Sequence, residues 1–222
     1  MKEGKITAEY ITHMGDDLMV ANVARVSFAK ESREFTWKVD MAKGSDEAII
    51  QYLARENHWT PFGHPQIQFR VKAPVPIRTQ CYKSKAGFVE NEESRRYISS
   101  EPEVFVPEYF RMKPEGSIKQ GSGGKHYNSG RLIERYREQC QAAVWLYLDF
   151  IDQGVAPEQA RFILPQGVMV NWIWTGSLAA YSRFCKLRED SHAQAEVGEV
   201  AKQIDSVLKE LFPVSWKALK GE

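Results

Sequence analysis

With 222 residues, 43% of them hydrophobic, the chain has the length of one domain and enough apolar side chains for a sizeable core. Thirty basic against 29 acidic residues leave a formal net charge of +1, which argues against a broad footprint for duplex nucleic acid and points to small molecules or other subunits as partners. No apolar run is long enough for a signal peptide or a membrane span, and Cys81, Cys140 and Cys185 form neither a zinc pattern nor a disulfide framework, so a reducing cytoplasmic setting with no membrane contact is expected.

Residues 17 to 28 read as a short helix running into Ala24-Arg25-Val26-Ser27-Phe28. Ser45-Asp46-Glu47 is a helix start with acids in its first turn, and Ile49, Ile50 and Leu53 form its buried stripe. That helix ends in Asn57-His58-Trp59-Thr60-Pro61-Phe62-Gly63-His64, where Pro61 and Gly63 force a turn. The cleanest strand follows: Ile67, Phe69 and Val71 alternate with Gln66, Gln68, Arg70 and Lys72 until Pro74 and Pro76 stop it. Residues 77 to 87 read as helical and Glu90 to Tyr97 as a charged loop. Gly116, Gly121, Gly123, Gly124 and Gly130 make 113–130 a flexible surface loop; neither glycine-rich phosphate-binding pattern is present there.

A long amphipathic helix is expected over about 131 to 153, ended by Gly154. Pro157 starts another near its first position, carrying Arg161 and Phe162. Residues 169 to 186, with Trp172, Ile173, Trp174, Leu178, Ala179, Tyr181 and Phe184, read as a helix apolar nearly all round, buried in the fold or at a subunit contact. Ser191 with Gln194 makes a capping-box pattern, and Val197, Val200, Ala201, Ile204, Val207, Leu208 and Leu211 continue at helical spacing. The expectation is one domain over 1–222, mostly helical with a small amount of sheet, without internal repeats.

Three segments carry chemistry. Arg188 stands just before the helix that the capping box opens, where free N–H groups and the dipole already favour an electron-rich ligand. A fixed guanidinium there suits a developing negative charge on a heterocycle; the plainer alternative is an arginine before an ordinary surface helix. His58 and His64 flank a tight turn without a third ligand nearby, so the turn presents His58 and Thr60 to a ligand and no metal site is expected. Between 78 and 97, Arg78, Lys83, Lys85, Arg95 and Arg96 supply charge, and Gln80, Asn91, Glu92 and Ser94 supply hydrogen-bonding groups. That mixture fits a nucleotide monophosphate better than a polyanion, which the interleaved glutamates would repel. A solvated charged loop has the same composition. The cysteines read as small core residues, with Cys81 alone close to a lysine that would favour a nucleophile.

Taken together, four ordered segments resemble the flavin-dependent thymidylate synthases. They are Ala24-Arg25-Val26-Ser27-Phe28; His58-x-Thr60-Pro61-Phe62-x-His64; Asn91-Glu92-Glu93-Ser94-Arg95-Arg96-Tyr97; and Ala160-Arg161 with Leu164-Pro165, leading to Leu187-Arg188-x-Asp190-Ser191-His192-Ala193-Gln194. The resemblance implies an α+β thymidylate synthase-complementing fold, mostly helical with a small antiparallel sheet. It implies a homotetramer with active sites between subunits. It also implies methylation of dUMP at C5, with carbon from methylenetetrahydrofolate and hydride from FAD reduced by NADPH, and no enzyme cysteine attacking the pyrimidine. Arg188 then looks like the arginine that stabilises charge on the uracil ring. Gln80, Lys83, Glu92, Ser94, Arg95, Arg96 and Arg161 join it as dUMP contacts, with Ser94, Arg95 and Arg96 at the phosphate. His58, Thr60, Lys83, Ser84, Lys85, Glu92, Ser177, Arg183 and His192 fall to the flavin. The chain departs from the family where Lys83-Ser84-Lys85 stands in place of the usual Arg-His-Arg, which loses the planar fork of arginine. An Asn-x-Arg usual on the apolar helix is here Ser177-Leu178-Ala179, with Arg183 close by. These departures keep open a hydroxymethyl-transferring relative and a non-catalytic nucleotide binder.

Overall fold

The computed structural model describes residues 1–37, 44–114 and 121–221. The first half runs β1 (Lys2–Gly4), β2 (Thr7–Met14), α1 (Asp17–Arg25), α2 (Asp46–Arg55), β3 (Gln66–Pro74), α3 (Val75–Cys81), β4 (Phe88–Glu92) and β5 (Glu103–Phe105). The second half runs α4 (Ser129–Asp152), α5 (Pro157–Ala160), β6 (Met169–Ser177), α6 (Leu178–Arg188), α7 (Ala195–Leu211) and α8 (Pro213–Lys220). The class is α+β. β2, β3, β6 and β4 form an antiparallel sheet in that order, and β1 pairs with β5 in parallel.

Several elements form as their local sequence dictates. Ser45 Oγ accepts the Ala48 N–H at 3.2 Å and caps α2. Ile67, Phe69 and Val71 of β3 are fully buried, as their alternation requires. α4 ends at Asp152, and Gly154 takes φ +82°, a left-handed conformation that glycine adopts without steric cost. The helix read at 77–87 is shorter and earlier, ending at Cys81, while Glu90 to Glu92 belong to β4 rather than to a loop. Of the glycine-rich loop, Gly116 lies outside the described residues. Its flanks pair, with the Met112 N–H donating to the Gly124 carbonyl at 2.8 Å and the Gly123 N–H to the Met112 carbonyl at 2.9 Å.

Two expectations are overturned. Residues 169–177 are not helical: they form β6, the strand between β3 and β4. Trp172, Trp174 and Gly176 point inward at period two, but the outward Ile173 is itself apolar and half-buried, so the alternation is hidden in the hydrophobic pattern. Helix begins only at Leu178, where Ser177 Oγ accepts the Ala180 N–H at 3.2 Å. The Ser191–Gln194 capping box also does not form. Gln194 is itself the N-cap residue of α7 and its side chain caps nothing. Arg188 is consequently the last residue of α6, not a neighbour of the α7 N-terminus.

The core is built on the inner face of the sheet with α1, α2, α6, α7 and α8 packed against it. Asp17 ties α1 to α8: its carboxylate accepts the Val214 and Ser215 N–H groups, both at 2.8 Å, satisfying donors that a helix start leaves free. Phe88 stacks on Trp174 with centroids 4.3 Å apart, a packing that depends on Gly176. A Cβ on Gly176 would lie 2.3 Å from Phe88 Cδ1. Gly176→Ala is therefore expected to cost about 1–3 kcal/mol by overpacking, seen as a lower denaturant midpoint at unchanged m-value. A midpoint equal to wild type would show that the ring has room to move.

Candidate functional site

β4 pairs with β6 from Phe88 opposite Gly176 to Glu92 opposite Trp172, and a cavity opens at each end of this ladder. At the Glu92 end the chain turns sharply. Ser94 accepts from the Arg96 N–H at 3.3 Å and from Arg96 Nε at 3.2 Å, and its carbonyl accepts the Tyr97 N–H at 3.0 Å. This turn aims Ser94, Arg95 and Arg96 into a cavity of about 350 Å³ floored by Val75, Leu164, Pro165, Val168 and Val170. Arg161 enters from the turn after α5, and Arg78 enters from α3, paired with Glu92 at 3.0 Å. Four arginines and a hydroxyl around one hollow, with two carboxylates, Glu92 held by Arg78 and Glu93 by the Asn171 amide, form a site for a phosphorylated ligand that also presents hydrogen-bonding edges.

At the Phe88 end, Lys83, Ser84, Lys85 and Arg183 ring a cavity of about 320 Å³ whose apolar wall is Phe88, Ala180, Phe184 and Leu187. Arg183 donates to the Ala86 carbonyl at 2.7 Å, which fixes the loop to α6, and Lys85 pairs with Glu90. Gly87 has φ +81°, and a Cβ there would sit 3.0 Å from Ala180, so the loop needs glycine to close against α6. Tyr82 lies between the cavities, with Lys85 Nζ 5.0 Å and the Arg78 guanidinium 5.3 Å from its ring centre. Burial first, and then the Glu92 carboxylate, push the Tyr82 hydroxyl well above its ordinary pKa.

Arg188 forms a third cluster. Its Nη2 donates to the Gln80 carbonyl at 3.1 Å, and Gln80 Nε2 donates to Gln194 Oε1 at 2.5 Å. Its buried Nε has no hydrogen-bond partner among the described residues. Gln194 thus turns its amide oxygen toward Gln80 rather than back to the Ser191 N–H. Cys81 sits beside this cluster, fully buried. Burial pushes its thiol up to about 12, and the Arg188 charge offsets that only in part. A neutral, enclosed thiol is a poor nucleophile. Cys81→Ala is expected to keep turnover within about threefold of wild type in a steady-state assay; a loss of several orders of magnitude would restore a cysteine-based mechanism.

The remaining residues singled out in the sequence lie elsewhere. His58 and Thr60 are exposed in the turn after α2 and line neither cavity; His58 stands edge-on to Tyr52 with centroids 5.8 Å apart. That turn leads into β3, whose Gln66 pairs with Ser177, so it occupies the same end of the sheet as the Lys83–Gly87 loop. Ser177 is buried, with its hydroxyl capping α6. His192 is exposed in the turn after α6, where Asp190 accepts its N–H at 2.8 Å. Three features are not expected from the sequence: the pairing of Arg78 with Glu92, the bond between Gln80 and Gln194, and the place of Tyr82 between the cavities. Arg78 and Tyr82 are one helical turn apart, a signal legible in the sequence; the other pairings join segments far apart in the chain.

The profile of a family described as "Thymidylate synthase complementing protein" matches residues 9–214. A protein of Thermus thermophilus named "Flavin-dependent thymidylate synthase" is 31% identical over 215 residues, covering 95% of this chain and 74% of its own. One of the same name from Thermosipho africanus is 30% identical, covering 92% and 86%. Among solved structures, the UMP/dUMP methylase PolB from Streptomyces cacaoi, bound with 5-Br dUMP, superposes with a TM-score of 0.86 at 27% identity, covering 100% of this chain and 97% of that one. The same methylase bound with 5-Br UMP gives 0.85.

Proposed function

The chain belongs to the thymidylate synthase complementing proteins, the flavin-dependent thymidylate synthases, and from that membership we infer how its own residues carry out the reductive methylation of dUMP to dTMP. The observation that carries the reading is the Glu92-end cavity. Ser94, Arg95 and Arg96 meet Arg161 there across more than sixty residues of sequence, in a hollow sized for a mononucleotide. Ser94, Arg95, Arg96 and Arg161 hold the phosphate as paired, charge-assisted donors. Glu92 and Gln80 orient the nucleotide, and Lys83, also expected at dUMP, lines the Phe88-end cavity of its own chain. Arg188 presents its guanidinium to the uracil ring and stabilises the negative charge that grows there, a preorganised contribution of the kind that often dominates a rate enhancement.

The Phe88-end cavity fits the flavin. Three cations, Lys83, Lys85 and Arg183, suit a pyrophosphate, and the wall of Phe88, Phe184 and Leu187 suits an aromatic ring. Arg183 supplies the planar fork that the lysines lack. Of the other residues expected at the flavin, Ser84 lines this cavity, whereas His58, Thr60, Glu92, Ser177 and His192 lie outside it in the same chain. FAD supplies the hydride, NADPH its reducing electrons, and methylenetetrahydrofolate the carbon. Four strand steps separate Phe88 from Glu92, so the stretch of β4 between the two cavities is about 14 Å long. We propose, with the family resemblance, a homotetramer in which neighbouring subunits complete each site. No described helix is long and apolar enough to cross a membrane, and we place the enzyme in the cytoplasm as one domain over 1–222.

The hydroxymethyl-transferring and non-catalytic readings gain no support: the relatives bear the names of synthases and a methylase, and a cationic cavity persists despite the loss of Arg-His-Arg. Full-length similarity to a methylase crystallised with both 5-Br dUMP and 5-Br UMP adds UMP as a second substrate to test. The deciding experiment is the visible spectrum of the purified protein, followed by dUMP- and UMP-dependent NADPH oxidation with methylenetetrahydrofolate and product identification by mass spectrometry. Flavin absorbance and dTMP are expected. Colourless protein that makes no dTMP even with added FAD would overturn the reading, and oxidation with dUMP alone would remove UMP.

A further inference from the structure

Arg188 ends a helix, and helix ends fray unless something holds them. Here the backbone is held from two sides. On one, α7 approaches so closely that a Cβ on Gly198 would lie 3.1 Å from the Arg188 carbonyl oxygen. On the other, Glu189, the next residue, is gripped by the last residue of α8. Lys220 Nζ pairs with Glu189 Oε2 and lies 3.2 Å from Asp205 Oδ1 on α7. Asp205 is itself fixed by the Trp216 indole N–H at 2.9 Å. The Lys220, Glu189 and Asp205 side chains are only 9%, 22% and 14% exposed, so solvent screens this network weakly. Glu189 Oε1 has no partner among the described residues, which leaves Lys220 as the group that holds the carboxylate in place. Burial alone would favour neutral Lys220, but Glu189 and Asp205 outweigh it and keep the ammonium charged.

The geometry points to Lys220 as a positioning residue for Arg188. By tying Glu189 to α7 and α8 it fixes the end of α6, and with it the angle at which the guanidinium meets the pyrimidine. This rests on the role given to Arg188 above. The test compares Lys220→Met, Lys220→Arg, Arg188→Ala and the Arg188→Ala/Lys220→Met double variant as flavin-loaded enzymes. Turnover per flavin-loaded site is measured, and dUMP affinity is measured by calorimetry. Lys220→Met is expected to lower kcat about tenfold at unchanged flavin content and binding stoichiometry, and Lys220→Arg to recover to within about threefold of wild type. In the Arg188→Ala background, Lys220→Met is expected to leave dUMP affinity where Arg188→Ala alone put it. Wild-type turnover in Lys220→Met, no recovery in Lys220→Arg, or a further loss of affinity in the double variant would each overturn the proposal. Wild-type turnover in Arg188→Ala would instead overturn the reading of the site beneath it. If Lys220→Met does not fold, Glu189→Gln weakens the same attraction with little change of shape and is held to the same outcomes.

Discussion

Replacing Arg188 by alanine is expected to lower dTMP formation about 10²–10³-fold, the usual effect of removing one preorganised donor from a developing charge. The fold is expected to survive. The side chain is half-buried, and among the described residues it donates a hydrogen bond to one backbone carbonyl, that of Gln80. Its position at the α6 C-terminus places a cation at the negative end of the helix dipole, an interaction typically worth about 0.3–1 kcal/mol. The loss of activity corresponds to about 3–4 kcal/mol in the barrier. Stability and catalysis should therefore separate cleanly: a melting temperature within a few degrees of wild type, normal flavin content, and turnover reduced by orders of magnitude. Arg188→Lys keeps the charge but not the planar fork, and partial recovery is expected from it. Turnover within tenfold of wild type in Arg188→Ala would remove the charge-stabilising role.

Asp46→Asn should produce the largest loss of stability. Asp46 is fully buried at the start of α2 and, among the described residues, accepts four hydrogen bonds: from Arg25 Nε at 2.8 Å, Ser32 Oγ at 2.9 Å, the Thr36 N–H at 2.9 Å and Thr36 Oγ1 at 2.7 Å. These bonds draw the segment after α1 onto α2. An amide turns two acceptor positions into donors facing donors, and removing one member of a buried ion pair costs about 3–5 kcal/mol. In a chain of this length that lowers the melting temperature by roughly 6–20 °C.

The pH dependence has a definite sign. Burial acts to raise the Asp46 pKa, but the bonds from Thr36, Arg25 and Ser32 outweigh it, and the folded value lies below the ordinary carboxylate value. Its contribution is thus complete above that ordinary value and is lost as pH falls through the folded one. The stability gap between wild type and Asp46→Asn is expected to be full at neutral pH and to narrow below about pH 4. Thermal unfolding of both proteins across that range measures it. A gap independent of pH would mean that the effect is steric rather than ionic.

The sequence by itself determined the elements whose signals are local: the Ser45 start of α2, the alternation of β3, the extent of α4 and the glycine that ends it. Ser94, Arg95, Arg96 and Arg161, which it singled out together, line one cavity. The tertiary structure alone decided the state of residues 169–177, because a strand with apolar residues on both faces shows no period-two pattern and is locally indistinguishable from a buried helix. It also decided the partner of Gln194. A cap and a long-range hydrogen bond are each worth about 1 kcal/mol, so local sequence cannot choose between them. The fold brings Gln80 within 2.5 Å, Gln194 leaves its own helix end uncapped by its side chain, and Arg188 becomes the end of one helix instead of the threshold of the next.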